Sequence, residues 1–102
     1  MNLKEASERA FEISKKRKQY KGDGEDTIRA LKHCAGEVLE AVESYTKFVY
    51  SPNEETDSFP AELADIIICV LSISAQENID IEQAIARKML INEGRVKNDS
   101  NK

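Results

Sequence analysis

Two pairs of acidic residues, each spaced by one helical turn, lie in two apolar stretches of this chain. Glu37 and Glu40 belong to the segment AGEVLEAVESY, and Glu62 and Asp65 belong to the segment FPAELADIIICVLSISA. A carboxylate in apolar surroundings is costly unless a cation, hydrogen bonds or water compensate its charge. If the two pairs meet, four carboxylates share one volume, and such a set of hard oxygen ligands binds Mg²⁺ or Mn²⁺. The spacing therefore suggests a divalent-metal site, and an exposed acidic face is the alternative interpretation of each pair.

A polar face near the C-terminus has the chemistry of a phosphate-binding site. Lys88, Asn92 and Arg95 recur at positions i, i+4 and i+7 of the segment KMLINEGR, so they lie on one side of a helix. Two cations and an amide can bind phosphate oxygens that a metal leaves free. The alternative is an ordinary solvated face, on which Lys88 extends its aliphatic stem along the helix.

The elements that position these residues are predicted to be four α-helices in a single domain, 1–102. Two prolines, four glycines and no tryptophan favour helices over a sheet. Apolar spacing predicts a first helix from about Asn2 to Gln19 and a second that follows an N-cap at Asp26 and ends near Val49. A third helix is predicted from a cap at Asp57 or Ser58 to the segment NIDIEQAI, and a fourth from a cap at Asp80 to about Arg95. Residues 96–102 are expected to form a frayed tail. The predicted fold class is all-α, a four-helix bundle.

The third predicted helix is apolar on almost every side except for one polar stripe. This stripe consists of Glu62, Asp65, Cys69, Ser72 and Gln76. Because a helix on the outside of a small monomeric bundle buries only one face, we expect self-association to complete the bundle. The stripe itself is either the solvent face of this helix or part of a site.

The second predicted helix carries an apolar stripe at helical spacing. The stripe is formed by Leu31, Cys34, Ala35, Val38, Val42, Tyr45 and Val49. Glu37 and Glu40 lie off this stripe and have no basic residue four positions later, unlike Glu43, which has Lys47.

The composition argues against several other classes of function. A formal net charge of −4 disfavours nucleic acid as the main partner. The longest apolar run, 63–75, contains Asp65 and is shorter than the roughly 20 residues that span a bilayer. The N-terminus is charged from Lys4 onward and has no signal-peptide pattern, and Cys34 and Cys69 form no C-x-x-C motif. We therefore expect a cytoplasmic protein with free core thiols and no membrane contact.

Taken in order, the motifs resemble the MazG-type family of all-α nucleoside triphosphate pyrophosphohydrolases. The family pattern is E-E-x-x-E, then E-x-x-D, then K-x-x-x-N-x-x-R, and the chain reads GEVLE, ELAD and KMLINEGR at these places. The resemblance covers about 27–95. Gly36 stands where the pattern has its first glutamate. A branch of the superfamily similar to the dCTP-cleaving enzymes also reads G-E-x-x-E, so the departure leaves open which carboxylate handles the attacking water.

The resemblance implies a Mg²⁺-dependent enzyme, with Mn²⁺ as a substitute metal, that cleaves a nucleoside triphosphate between its α- and β-phosphates. The products are a nucleoside monophosphate and pyrophosphate, in a house-cleaning role for the nucleotide pool. The implied metal ligands are Glu37, Glu40, Glu62 and Asp65, with Glu37 or Glu40 as the catalytic base. The implied substrate contacts are Lys88, Asn92 and Arg95. The family also implies a homodimer or homotetramer with its active site near a subunit boundary.

Other interpretations are open at this stage. A non-catalytic helical dimer that binds a partner or acts as a scaffold would show the same helices, and cleavage of phosphoribosyl-ATP is a sister activity on the same fold. His33 lies one turn before Glu37 and is expected to pair with it rather than with substrate. The basic run from Lys15 to Lys18 could steer a polyphosphate or bind nucleic acid, but a solvated helix end that suits the helix dipole is the simpler interpretation.

Overall fold

The structure is a computed structural model that describes residues 1–50 and 59–100. Four helices make up most of this part of the chain: α1 (Leu3–Lys16), α2 (Asp26–Tyr50), α3 (Phe59–Gln76) and α4 (Ile81–Ser100). The all-α prediction is therefore confirmed. The expected cap of α3 at Asp57 or Ser58 lies outside the described residues, and α4 continues past its expected end near Arg95 into the segment predicted to be a frayed tail.

Two helices begin at caps that the sequence supplies. The Asn2 side chain accepts a hydrogen bond from the backbone N–H of Glu5 at 2.8 Å, and Asp80 accepts one from the backbone N–H of Gln83 at 3.1 Å. Each bond satisfies an N–H group that has no partner inside the helix. The cap predicted at Asp80 is thereby confirmed.

Helix α3 lies at the centre of the molecule. It packs against α1 on one side and α2 on the other, whereas α4 makes far fewer contacts, chiefly with α1. After Ile81, every described side chain of α4 is exposed. The site-bearing part of the fold is therefore the layer formed by α1, α2 and α3.

The apolar stripe of α2 lies mostly on the outer side of the helix, with Cys34 as its half-buried member. Its large members, Leu31, Val38, Val42 and Tyr45, are all exposed. The side of α2 with little exposed surface consists mainly of small residues together with one acid: Ala30, Cys34, Glu37, Ala41 and Ser44. Small side chains let two helix backbones approach closely, and the large apolar residues are left on the outer side.

On helix α3, too, large apolar residues lie on the outer side of the helix. Its polar stripe faces inward, since Glu62 is only 8% exposed and Cys69, Ser72 and Gln76 are half-buried, although Asp65 is exposed. The stripe is therefore not the solvent face of the helix. The large apolar residues Leu63, Ile67, Ile68 and Val70 are exposed instead. By length and composition α3 could cross a membrane, but contact with helices on two sides and an inward polar stripe are features of a bundle helix.

A single copy of the chain has a small apolar core and a large apolar exterior. The buried apolar residues among those described are Ala10, Ala41 and Leu71. The accessible surface is 8059 Å², whereas a compact monomer of 11.5 kDa exposes about 5,800 Å². The radius of gyration is 16.7 Å, compared with about 13 Å for a compact chain of this length. Surface of this kind is typical of protein interaction sites.

Candidate metal centre and nucleotide cavity

Three of the four predicted metal ligands meet where α2 faces the start of α3. One carboxylate oxygen from each of Glu37, Glu40 and Glu62 lies within 4.8 Å of the other two. Helix α2 supplies the first two from adjacent turns, and α3 supplies Glu62 from its first turn. We call these three side chains the carboxylate cluster. The fourth predicted ligand, Asp65, lies outside it but close enough for its charge to act on Glu37.

Glu37 lies in an unfavourable electrostatic environment for a carboxylate. Its side chain is 14% exposed, and its buried Oε2 accepts no hydrogen bond from the described part of the chain. Burial raises the pKa of Glu37 above its usual value, and the negative charges of Glu40 and Asp65 raise it further. A bound cation would lower all of these penalties at once.

His33 partly offsets this unfavourable environment. Its Nε2 lies 3.2 Å from Glu37 Oε1, one helical turn away on α2, which confirms the predicted pairing. The histidine lowers the pKa of Glu37, but this effect is smaller than that of burial or of either neighbouring acid. His33 therefore positions one oxygen of Glu37 and leaves Oε2 directed elsewhere.

A cavity of about 530 Å³ opens beside the carboxylate cluster. Residues of α1, the α1–α2 connection, α2 and α3 all contribute to its walls, and Glu37 and Asp65 line it. The inner polar residues Ser72 and Gln76 and the apolar Ile68 line it as well. Its volume lies within the range of small-molecule sites, about 300–1,000 Å³, so the cavity is large enough for a small ligand beside Glu37.

The two cysteines are free thiols on facing sides of α2 and α3. Burial raises the pKa of the Cys69 thiol to about 11, and Cys34, Glu37 and Asp65 act in the same direction. Cys69 is therefore a neutral thiol at neutral pH and contributes a polarisable wall to the cavity. This agrees with the prediction of unpaired core thiols.

The connection between α1 and α2 also lines the cavity, and Asp26 holds this connection in place. Asp26 was predicted as the N-cap of α2, but it is the first residue of the helix and its carboxylate turns back toward the connection. It accepts hydrogen bonds from the backbone N–H groups of Lys21 at 2.7 Å and Gly22 at 2.8 Å. It also pairs with Arg29 Nη1 at 2.9 Å. Gly22 and Gly24 have φ of 72° and 82°, a region that glycine adopts without strain.

The predicted phosphate-binding residues lie on α4, the helix that has few contacts with the rest of its chain. Lys88, Asn92 and Arg95 are exposed on α4, and none of the three lines the cavity of its own chain. The single chain thus brings the four acids to one region and leaves these three residues apart from them.

Comparison with protein-family models gives a match to the MazG nucleotide pyrophosphohydrolase domain over residues 23–98. The chain belongs to this family. The matched range includes all seven residues that the motifs predict as metal ligands or substrate contacts, so the resemblance read from those motifs is confirmed. Comparison with curated proteins and with solved structures found no significant match. Helix α1 and the start of the α1–α2 connection precede the matched range.

Sequence reasoning missed the basic residues that line the cavity. Arg17, Lys18 and Lys21 contribute to its wall, although the basic run was interpreted as a solvated helix end. The paired glycines after the run indicated a tight connection, but the direction in which that connection turns depends on Asp26 and on packing against α3.

Proposed function

We propose that the protein is a Mg²⁺-dependent nucleoside triphosphate pyrophosphohydrolase that converts a ribo- or deoxyribonucleoside triphosphate to the monophosphate and pyrophosphate. The observation that carries the proposal is the carboxylate cluster of Glu37, Glu40 and Glu62 in a chain of the MazG family. Removal of unwanted nucleotides from the cellular pool is the role that this activity would serve.

The residues present fit a magnesium ion. The donor set consists of carboxylate oxygens from two helices, which Mg²⁺ and Mn²⁺ both prefer, and Glu37 Oε2 is a buried acceptor with no hydrogen bond among the described residues. Glu37, Glu40 and Glu62 would hold the ion, and Asp65 would complete the set after a small movement. When bound, the metal neutralises the phosphate charge, polarises the phosphoryl oxygens and lowers the pKa of water.

Glu37 is the better placed of the two candidate bases. It belongs to the carboxylate cluster and also lines the cavity, whereas Glu40 belongs only to the cluster. A carboxylate that faces the ligand can take the proton of the attacking water while the anhydride bond breaks and pyrophosphate leaves. His33, which contacts Glu37 Oε1, would hold the orientation of this carboxylate between the metal and the water.

We further propose that the active form is a homodimer or homotetramer. The outer faces of α2 and α4 expose large apolar residues, including Leu39 at 68% and Leu90 at 69%, and α4 has few contacts within its own chain. Burial of each such side chain would stabilise the assembly by about 1.5–3 kcal/mol. Packing of α4 against a second copy would also carry Lys88, Asn92 and Arg95 toward the partner's carboxylates, where they would bind the triphosphate.

The experiment is a substrate panel. The purified protein is incubated with each common ribo- and deoxyribonucleoside triphosphate in Mg²⁺, and pyrophosphate release is measured with EDTA as the blank. We expect metal-dependent pyrophosphate release from at least one nucleotide, its loss in Glu40→Gln, and near-normal release in Glu43→Gln. Glu43 is the matched control because it lies on the same helix, is exposed and is absent from the cluster.

Two outcomes would contradict the proposal. If the folded wild-type protein releases no pyrophosphate from any nucleotide, then a non-catalytic binding or scaffold module is the better description. If sedimentation velocity shows only a monomer at the concentrations used for the assay, the proposed assembly is wrong even when activity is present.

A further inference from the structure

The basic run near the end of α1 is divided by the fold into two pairs with different surroundings. Lys15 Nζ pairs with Glu12 at 2.5 Å and lies 4.7 Å from the ring centre of Phe11, while Lys16 is exposed and does not line the cavity. Arg17 and Lys18 line the cavity instead. All four residues are exposed, but only Arg17 and Lys18 border the cavity.

Lys21 joins Arg17 and Lys18 to form a cationic wall in the cavity. None of the three forms an ion pair with any residue in the described ranges. The nearby acids do not neutralise them, because Asp23 and Asp26 both pair with Arg29. Three cations without counter-ions in one concave wall constitute a binding surface for an anion.

The backbone at Lys18 has a conformation that is unusual for a lysine. Lys18 has φ of 60°, the left-handed region that normally favours glycine or asparagine at a helix end. The end of α3 has the same backbone hydrogen-bond pattern, but there the left-handed residue is Asn78, with φ of 55°. A strained lysine in place of these residues is more costly for the fold, and strain of this kind is typical of functional sites.

The mixed charge of the cavity lining indicates the class of ligand. Glu37 and Asp65 line the cavity together with the cationic wall of Arg17, Lys18 and Lys21. A ligand that satisfies both must be an anion that also coordinates a divalent metal, which describes the phosphate chain of a nucleotide. The geometry points to Arg17, Lys18 and Lys21 as phosphate-binding residues supplied by the same chain as the acids. This inference rests on the proposed function, and it concerns residues that precede the family match at 23–98.

The test uses inorganic tripolyphosphate with Mg²⁺ as the probe, so that no hydrolysis is needed. Isothermal titration calorimetry compares the wild type with Arg17→Gln/Lys21→Gln and with Lys15→Gln/Lys16→Gln. Both double variants remove two positive charges from the same segment, but only the first changes the cavity wall. We expect the first to weaken affinity by about tenfold or more, as for lost charge-assisted hydrogen bonds. The second should weaken it by no more than about twofold, because Lys15 and Lys16 do not line the cavity and would act on the ligand only through screened charge.

A second variant covers the case in which the first double variant fails to fold. Lys18→Gly relieves the left-handed strain, so we expect an equal or higher melting temperature together with weaker tripolyphosphate binding. The inference is overturned if Lys18→Gly binds tripolyphosphate as tightly as the wild type does, or if the two double variants bind it equally well. It is also overturned if the wild type does not bind tripolyphosphate. If the wild type cleaves nucleotides but the two double variants share the same KM and Kd, the proposed function stands and only the cationic wall is rejected. If the calorimetric difference appears without any nucleotide cleavage, the anion site stands and the proposed activity is rejected.

Discussion

Asp26 and Glu37 are both carboxylates of α2 with little exposed surface, and both line the same cavity. Asp26 accepts two backbone N–H groups and pairs with Arg29. These partners lower its pKa, chiefly through the backbone N–H of Lys21. Glu37 faces other acids, and its pKa is raised, chiefly by burial.

This difference in partners distinguishes an acid that stabilises the fold from an acid whose charge requires a bound cation. Backbone N–H groups come from the chain itself, so a carboxylate that accepts them is compensated as soon as the chain folds. Glu37, among other carboxylates, is compensated only in part by His33, so a cation from solution would have to supply the rest. The number of donors around a buried acid therefore indicates its role better than its burial does.

The largest expected effect concerns the response to metal. At about 100 times Kd, Mg²⁺ should stabilise the wild type by about 2.7 kcal/mol, and Glu37→Gln should lose most of this gain. Asp26→Asn should keep the gain, although its stability without metal falls because it has lost a charged acceptor. Thermal unfolding of the three proteins in Mg²⁺ and in EDTA measures both quantities. An equal loss of the Mg²⁺ gain in both variants would remove the distinction between the two acids.

The pH dependence in EDTA should differ in sign for the same two positions. The pKa of Glu37 is raised in the folded state, so the ionisation of Glu37 opposes folding when the pH is above this folded-state pKa. In acid, Glu37 is protonated in both the folded and the unfolded protein and has no effect on stability. Glu37→Gln should then raise stability at neutral pH and leave it unchanged in acid. The pKa of Asp26 is lowered, so it stabilises the fold above its unfolded-state pKa and this contribution is lost as the pH falls through the folded pKa.

Urea unfolding across the acid range checks this contrast. Asp26→Asn should lower stability most at neutral pH, which is the opposite of Glu37→Gln. Parallel stability–pH curves for the two variants would show that the two carboxylates do not differ as described.

The smallest expected effect concerns the two kinds of partner of Asp26, which are the backbone N–H groups and the Arg29 side chain. Arg29 is 38% exposed, and exposed ion pairs contribute about 1 kcal/mol or less. Arg29→Gln should therefore lower stability by less than Asp26→Asn, and by still less in high salt. Urea unfolding at low and high salt measures this. A loss in Arg29→Gln as large as that in Asp26→Asn would mean that the ion pair, rather than the backbone N–H groups, secures the connection.

Much of the fold could be predicted from residue patterns because the signals are local. Helical periodicity and the cap at Asp80 predicted the four helices, and the spacing of Glu37 with Glu40 predicted two adjacent carboxylates on one helix face. Helix ends were less accurate, since α4 extends beyond Arg95. The polar sequence of its last turns contains no proline that would stop it.

The inward direction of the polar faces could not be predicted in the same way. An apolar stripe normally faces the core, yet Val38 and Val42 face outward because small residues such as Ala41 lie between α2 and α3. Periodicity identifies the two sides of a helix, but it does not show which side packs within the chain and which remains exposed.

The sequence by itself determined the helices, the spacing of the acids within each helix and the family, because each of these depends on residues close together along the chain. The tertiary structure alone decided that Glu62 meets Glu37 and Glu40, that Asp26 turns back to hold the connection, and that Arg17 and Lys18 separate from Lys15 and Lys16. These arrangements depend on contacts between residues far apart in the chain and on the direction in which one short connection turns. The same carboxylates could have been a solvated face, and packing against α3 made them a candidate metal centre.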